Sequence, residues 1–220
     1  MHDLPQFGER RKKLRSRTFQ VGVVLAFCAV AILPTVVVCY SEAPSSGIVA
    51  IESLHGHGSG VVVGHIGDWW YVATAAHIPQ AMMTGMTING CEAFFVAEAA
   101  DADVALVRFR DADTLYEVYE LAVPKRGLMA TARGWLHNQP TGDLVRADFQ
   151  IRVVCERFDD SVAFQGGAYW GMSGSGIFNE DGKVIGILSR AALSPWGEPW
   201  AGLSLFESSE HIETLLQENL

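Results

Sequence analysis

The sequence predicts an all-β domain that ends in one α-helix and is preceded by one membrane-crossing helix. Three observations predict it. Residues 19–40 form an uncharged run of 22 positions. Beyond residue 47, short apolar or alternating runs follow one another with Gly, Asp and Asn between them, the texture of strands and turns. Only the C-terminal end carries an apolar stripe at helical spacing.

The N-terminal elements come first in the chain. Residues 1–18 set six cations (Arg10, Arg11, Lys12, Lys13, Arg15, Arg17) against Asp3 and Glu9, forming a basic tail. The run that follows, FQVGVVLAFCAVAILPTVVVCY, spans about 33 Å as a helix, against a hydrocarbon core of about 30 Å. It has no polar face, which separates it from a helix half-buried in a globular core, and Pro34 is tolerated in such a span. The basic tail is expected to stay cytoplasmic, placing the body in the periplasm or outside the cell. A secreted body released from a signal peptide is the alternative. Its apolar region would be shorter, about 7–15 residues, and the fitting small-x-small site, Ser41-Glu42-Ala43, is followed by Pro44. Residues 41–47 read as a polar linker to a domain over 48–220.

Strands are expected near 48–54, 60–66, 69–73, 94–97, 104–109, 149–154 and 183–188, with a turn at Glu180-Asp181-Gly182. At the end, Ser208 or Ser209 caps a helix with Ile212, Leu215, Leu216 and Leu220 on the face packed against the domain. No internal repeat of 20–50 residues and no low-complexity tract interrupts this reading.

Composition narrows the function. A chain that is 49% hydrophobic and 19% charged, with 22 Gly and 8 Pro, is neither disordered nor collagen-like. Net charge is −9, and residues 41–220 hold 10 basic against 23 acidic side chains. That acidic body argues against nucleic-acid binding, which needs a cationic footprint. Six Trp then read as packing rather than a base-stacking platform. Cys28 and Cys39 fall in the membrane run. Cys91 and Cys155 fall in the exported body, where a disulfide is permitted by compartment but not fixed by spacing.

Three segments carry chemistry. In Trp69-Trp70-Tyr71-Val72-Ala73-Thr74-Ala75-Ala76-His77 a strand runs into a histidine flanked by small residues, which let the backbone pack close around the imidazole. In Asp101-Ala102-Asp103-Val104-Ala105-Leu106-Val107-Arg108 an acid opens an apolar strand. In Gly171-Met172-Ser173-Gly174-Ser175-Gly176 a serine sits between glycines, so the backbone turns sharply and its amides can face an oxyanion. Each segment alone is ordinary.

Together, in the order His, Asp, Ser, the segments TAAH, DVAL and GMSGSG followed by GILS resemble the signatures of trypsin-like serine proteases of the chymotrypsin fold. The resemblance covers roughly residues 48–206. Its GSG and its compact intervals, 26 residues from His77 to Asp103 and 70 from there to Ser173, are similar to short bacterial members of HtrA type and glutamyl-endopeptidase type. It implies two packed six-stranded β-barrels and an acyl-enzyme route needing neither metal nor cofactor. Ser173 is then the nucleophile, and His77 the base and later the acid. Asp103 orients His77, and the Gly171 and Ser173 amides form the oxyanion hole. Ser189 matches the family serine that bonds the buried aspartate, on a strand that pairs with substrate backbone.

The resemblance also maps the pocket for the side chain before the scissile bond. Its walls fall on Gln165, Gly166 and Gly167 and on Leu188, Ser189, Arg190 and Ala191. Neither stretch holds an acid to match Arg or Lys, and Leu188 stands where glutamyl endopeptidases place a histidine. An apolar preference is expected, with Arg190 at the solvated rim. Met172 stands where zymogen members carry an aspartate that pairs with a newly cut N-terminus. Ile48-Val49 is therefore expected to be a first strand rather than an activation site. Asp101 and Ser175 compete for the triad roles but lack the local context of Asp103 and Ser173. His55 and His57 form an H-x-H pair without a third ligand at metal spacing. Two functions remain on these residues: a membrane-anchored serine endopeptidase acting on proteins or peptides, or an idle protease-fold domain that binds peptides or a protein partner at the membrane.

Overall fold

The computed structural model describes residues 46–220 apart from 55, 83–84, 138–140, 142, 159–160, 167–168, 170 and 194–198. The chain divides into two units, Met1–Ala43 and Pro44–Leu220. The basic tail and the expected membrane helix lie outside the described residues. Among the described residues no helix is long and apolar enough to cross a membrane.

The body is two closed barrels of six antiparallel strands. The first contains β1 (Ile48–Ser53), β2 (Gly56–Ile66), β3 (Trp69–Thr74), β4 (Thr87–Ile88), β5 (Cys91–Glu98) and β6 (Ala105–Arg110), in the spatial order β1-β2-β3-β6-β5-β4. The second contains β7 (Met129–His137), β8 (Leu144–Phe158), β9 (Ser161–Gln165), β10 (Gly176–Phe178), β11 (Val184–Leu193) and β12 (Pro199–Ser208), in the order β10-β11-β12-β9-β8-β7. Inward positions supply the cores: Ile51, Val61, Val72, Ile88, Val107 and Phe109 in one, and Ile151, Phe164, Met172, Ile177, Leu188 and Phe206 in the other.

Several strands run beyond their sequence-expected ends. β2 begins at Gly56 because the HGHGSG stretch continues the ladder with β1, Ser53 opposite Gly56 and Ile51 opposite Gly58. A Cβ at Gly58 would run into the Ile78 side chain, so here glycine serves close packing inside a strand rather than a loop. Between β4 and β5, Asn89 and Gly90 both have positive φ, 50° and 80°, the two-residue turn that suits a hairpin's twist. Ile48 is buried in β1 and paired with Val61, so it is a first strand.

The barrels are fastened by the chain between them. Tyr119 donates its amide to Val62 O at 3.1 Å, while residues 120–122 bracket Val184: its amide donates to Glu120 O and its carbonyl accepts from Ala122, both at 2.8 Å. Ser59 Oγ accepts from Trp135 N at 2.8 Å, and Trp135 Nε1 donates to Ile48 O at 3.1 Å. Trp135 thus packs between barrels and Trp70 is buried in the first, as the packing reading expects. Among the described residues two helices complete the body, α1 (His77–Ala81) and α2 (Ser209–Asn219). Ser208 is the N-cap of α2, accepting from Glu210 N at 3.3 Å. Ile212 and Leu215 return to the core of the first barrel, while Leu220 stays exposed.

Candidate active site

His77 opens α1 just past the end of β3. Ala75 and Ala76 are buried behind it, so the small residues seat the backbone against the barrel. Asp103 sits in the turn ahead of β6 and grips His77 twice. Oδ1 accepts from the His77 amide at 2.9 Å, and Oδ2 lies 2.8 Å from Nδ1. Ser189 Oγ, from the second barrel, donates to the same Oδ2 at 2.6 Å. Burial pushes the Asp103 carboxyl up. The bonds from His77 Nδ1, Ser189 Oγ and the His77 amide, with the His77 charge, outweigh it and hold the group below the usual aspartate range. The carboxylate is therefore ionised and faces the imidazole.

Ser173 follows a tight turn. The Met172 amide closes on Tyr169 O at 3.0 Å, and Gly171, third in that turn, has φ +93°, a left-handed value that favours glycine. Among the described residues neither the Gly171 nor the Ser173 amide donates to a backbone carbonyl, so both remain available to an oxyanion. The loop is clamped from below: Ser59 N donates to Ser173 O, and Gly174 N to Leu188 O, each at 2.8 Å. A Cβ at Gly174 would strike Ser59 O and Thr74 Oγ1, so only glycine fits there. Ser173 Oγ donates a long bond to Ser189 O at 3.4 Å. Ser189 thereby touches both Asp103 and Ser173 and joins the halves of the site across the barrels.

The competing residues separate. Asp101 is exposed and pairs with His211 of α2 at 3.6 Å. Ser175 is fully buried, and its hydroxyl has no hydrogen-bond partner among the described residues. His55 lies outside the described residues, and among them no three His, Cys, Asp or Glu side chains converge as metal ligands. Cys91 is a free thiol on β5 of the first barrel, whereas Cys155 belongs to β8 of the second.

Of the expected pocket walls, Gly167 lies outside the described residues. Gly166 directly follows β9, and its carbonyl accepts from Ser204 Oγ at 3.3 Å. Ser189 and Ala191 lie along β11, and the Leu188 side chain is buried in the core of the second barrel. Arg190 is half-exposed, with one guanidinium nitrogen 3.6 Å from Glu207 Oε1 and another 3.5 Å from Ser161 Oγ. Glu207 is 2% exposed and accepts from Ser161 Oγ at 2.9 Å. Burial pushes its carboxyl up, against the pull of Ser161 and Arg190. It lines a cavity of about 370 Å³ shared with Asp103, Gln80 and Arg190. The sequence reading missed Glu207 and Ser161, and so missed that the Arg190 charge is offset from within. The one available signal was an acid directly after the apolar run of β12.

The profile of the family described as trypsin-like peptidase domain matches residues 58–187, a stretch that begins beside His57 and holds His77, Asp103 and Ser173. Among solved structures, the chain is similar to the apo-form protease domain of MamO from Magnetospirillum magneticum. The two share 17% sequence identity with a TM-score of 0.56, over 76% of this chain and 94% of that one, which is a likeness of fold. No curated protein sequence matches the chain.

Proposed function

Because the chain belongs to the trypsin-like peptidase family, we propose that it is a serine endopeptidase that hydrolyses peptide bonds of proteins or peptides through an acyl-enzyme. The observation that carries this reading is the double grip of Asp103 on His77. It keeps the ring proton on Nδ1 and leaves Nε2 bare, the state a general base needs. Rotation of the Ser173 hydroxyl from Ser189 O toward Nε2 supplies the nucleophile. His77 takes its proton as Oγ attacks the substrate carbonyl and gives it to the leaving amine, so the C–N bond breaks as the acyl-enzyme forms. Water then repeats the sequence in reverse. The amides of Gly171 and Ser173 hold the oxyanion. An apolar side chain is the proposed preference before the scissile bond, since no acid occurs in the mapped walls and Arg190 is engaged by Glu207.

A second reading, an idle protease-fold binding module, is favoured by one observation: Ser173 Oγ bonds Ser189 O rather than His77. Labelling with a fluorophosphonate decides between them. Wild-type chain that takes up one label per site, and a Ser173→Ala chain that takes up none, support the peptidase. A folded wild type that stays unlabelled supports the binding module.

The proposed location is the membrane, with residues 19–40 as anchor and the body periplasmic or extracellular. The basic tail before an uncharged run of spanning length supports it. Full-length chain should stay with membranes through a carbonate wash. A purified exported chain that begins near residue 40–44 would instead identify the run as a cleaved signal.

A further inference from the structure

Among the described residues no three His, Cys, Asp or Glu side chains converge as metal ligands, and His57 is not one of the three residues read as the triad. It lies in β2 opposite Glu52 of β1, and its Nε2 is closed off from solvent. A Cβ built on Gly171 would collide with Nε2, and would lie 3.0 Å from Cδ2 and 3.1 Å from Cε1 of the same ring. The imidazole thus fills the place where a side chain of residue 171 would be. Gly171 is the third residue of the turn whose amide faces the oxyanion.

We infer that His57 is a positioning residue for the oxyanion hole: its imidazole is the wall against which the Gly171 backbone rests. The proposal deepens the peptidase reading and rests on it. The turn is held on one side by Ser59 N donating to Ser173 O at 2.8 Å, two residues along β2 from His57. It is held on the other by the ring itself, so a single strand of the first barrel fixes both amides of the hole. Besides the ring, Gly171 is held by the bond from the Met172 amide to Tyr169 O at 3.0 Å, and with no side chain of its own at φ +93° it depends on its neighbours for its place. Removing the ring opens a space of imidazole size behind that residue, and the Gly171 amide loses its seat. Complete loss of one oxyanion donor costs about 10²–10³ in kcat. Displacing it by a fraction of an ångström costs part of that, because catalytic groups tolerate little misplacement.

The test uses full-length chain in detergent. Fluorophosphonate titration counts active sites, and kcat per titrated site is then measured on a chromogenic apolar peptide anilide. His57→Ala is expected to lower kcat per site about 10- to 100-fold with KM within about threefold. His57→Asn keeps polarity but stops short of Gly171, and should lose as much. His57→Gln reaches as far as Nε2 and should retain kcat within about threefold. A merely structural role would lower the number of titrated sites and leave kcat per site unchanged. If His57→Ala fails to fold, the Asn and Gln variants decide: equal kcat per site in these two overturns the inference. A His57→Ala kcat per site within threefold of wild type overturns it as well. Wild-type chain that takes no label removes the peptidase reading, and this inference with it.

Discussion

Met172→Asp restores the aspartate found before the nucleophile in zymogen relatives, and the structure says that it should wreck the second barrel. Met172 is fully buried among Ile151, Phe164, Ile177 and Leu188. Losing the apolar side chain removes about 2 kcal/mol of burial. An aspartate there must either remain charged without a counter-ion or take up a proton. The second route is cheaper, and holding a group of ordinary pKa near 4 neutral at pH 7 costs about 4 kcal/mol. The total, about 6 kcal/mol, rivals the whole stability of a typical domain. A charge-pairing N-terminus is out of reach, because Ile48 is locked in β1 against Val61 and its amide donates to Ser46 Oγ at 3.3 Å. Urea unfolding of Met172→Asp at pH 7, 6 and 5 is the assay. The loss should shrink by about 1.4 kcal/mol for each pH unit of acidification, while Met172→Leu should stay within about 1.5 kcal/mol of wild type. A loss below about 1 kcal/mol at pH 7, or recovery on trimming the chain to begin at Ile48, would refute the reasoning.

Asp103→Asn should lower kcat by about 10⁴ with the fold intact by circular dichroism, since an amide on Nδ1 forces the ring proton onto Nε2; activity within tenfold of wild type would remove Asp103 from its role. The Asp103 carboxyl is held below its ordinary value, so its contribution to stability is complete above the unfolded-state value near 3.8. That contribution is lost as pH falls through the lower folded-state value, and urea midpoints of wild type and Asp103→Asn should converge below about pH 4. Ser175→Ala deletes a buried hydroxyl without a partner among the described residues, and should leave stability equal or up to about 1 kcal/mol higher with peptidase activity retained. Abolished activity there would mean that the nucleophile had been assigned to the wrong serine. Gly174→Ala drives a Cβ into Ser59 O and should cost more than about 3 kcal/mol by urea unfolding; a neutral result would contradict the clamp between β2 and the nucleophile loop.

The pairing of Asp103 with His77 and the glycine-flanked turn at Ser173 were legible because their determinants are local. Small residues before His77, an acid opening an apolar strand and glycines around Ser173 are all set within a few positions of the side chain they present. Strands that depend on distant pairing were not legible. β4 is two residues long, too short for any period, and β12 is not among the expected strands, becoming one where β11 and β9 flank it on both sides. Burial of charge belongs to the same class. Glu207 looks like an ordinary acid ahead of a helix, and only the pairing of Ile187 with Glu207 in the β11–β12 ladder sets it beneath Arg190. His57 is the sharpest case. Residues 57 and 171 are more than a hundred positions apart, and nothing local sets the ring against that glycine. What brings them together is the register of β2 against the nucleophile loop, where Ser59 N donates to Ser173 O. Chemistry that a short segment builds for itself is readable from that segment; chemistry that one barrel lends to the other becomes readable only when the barrels are closed.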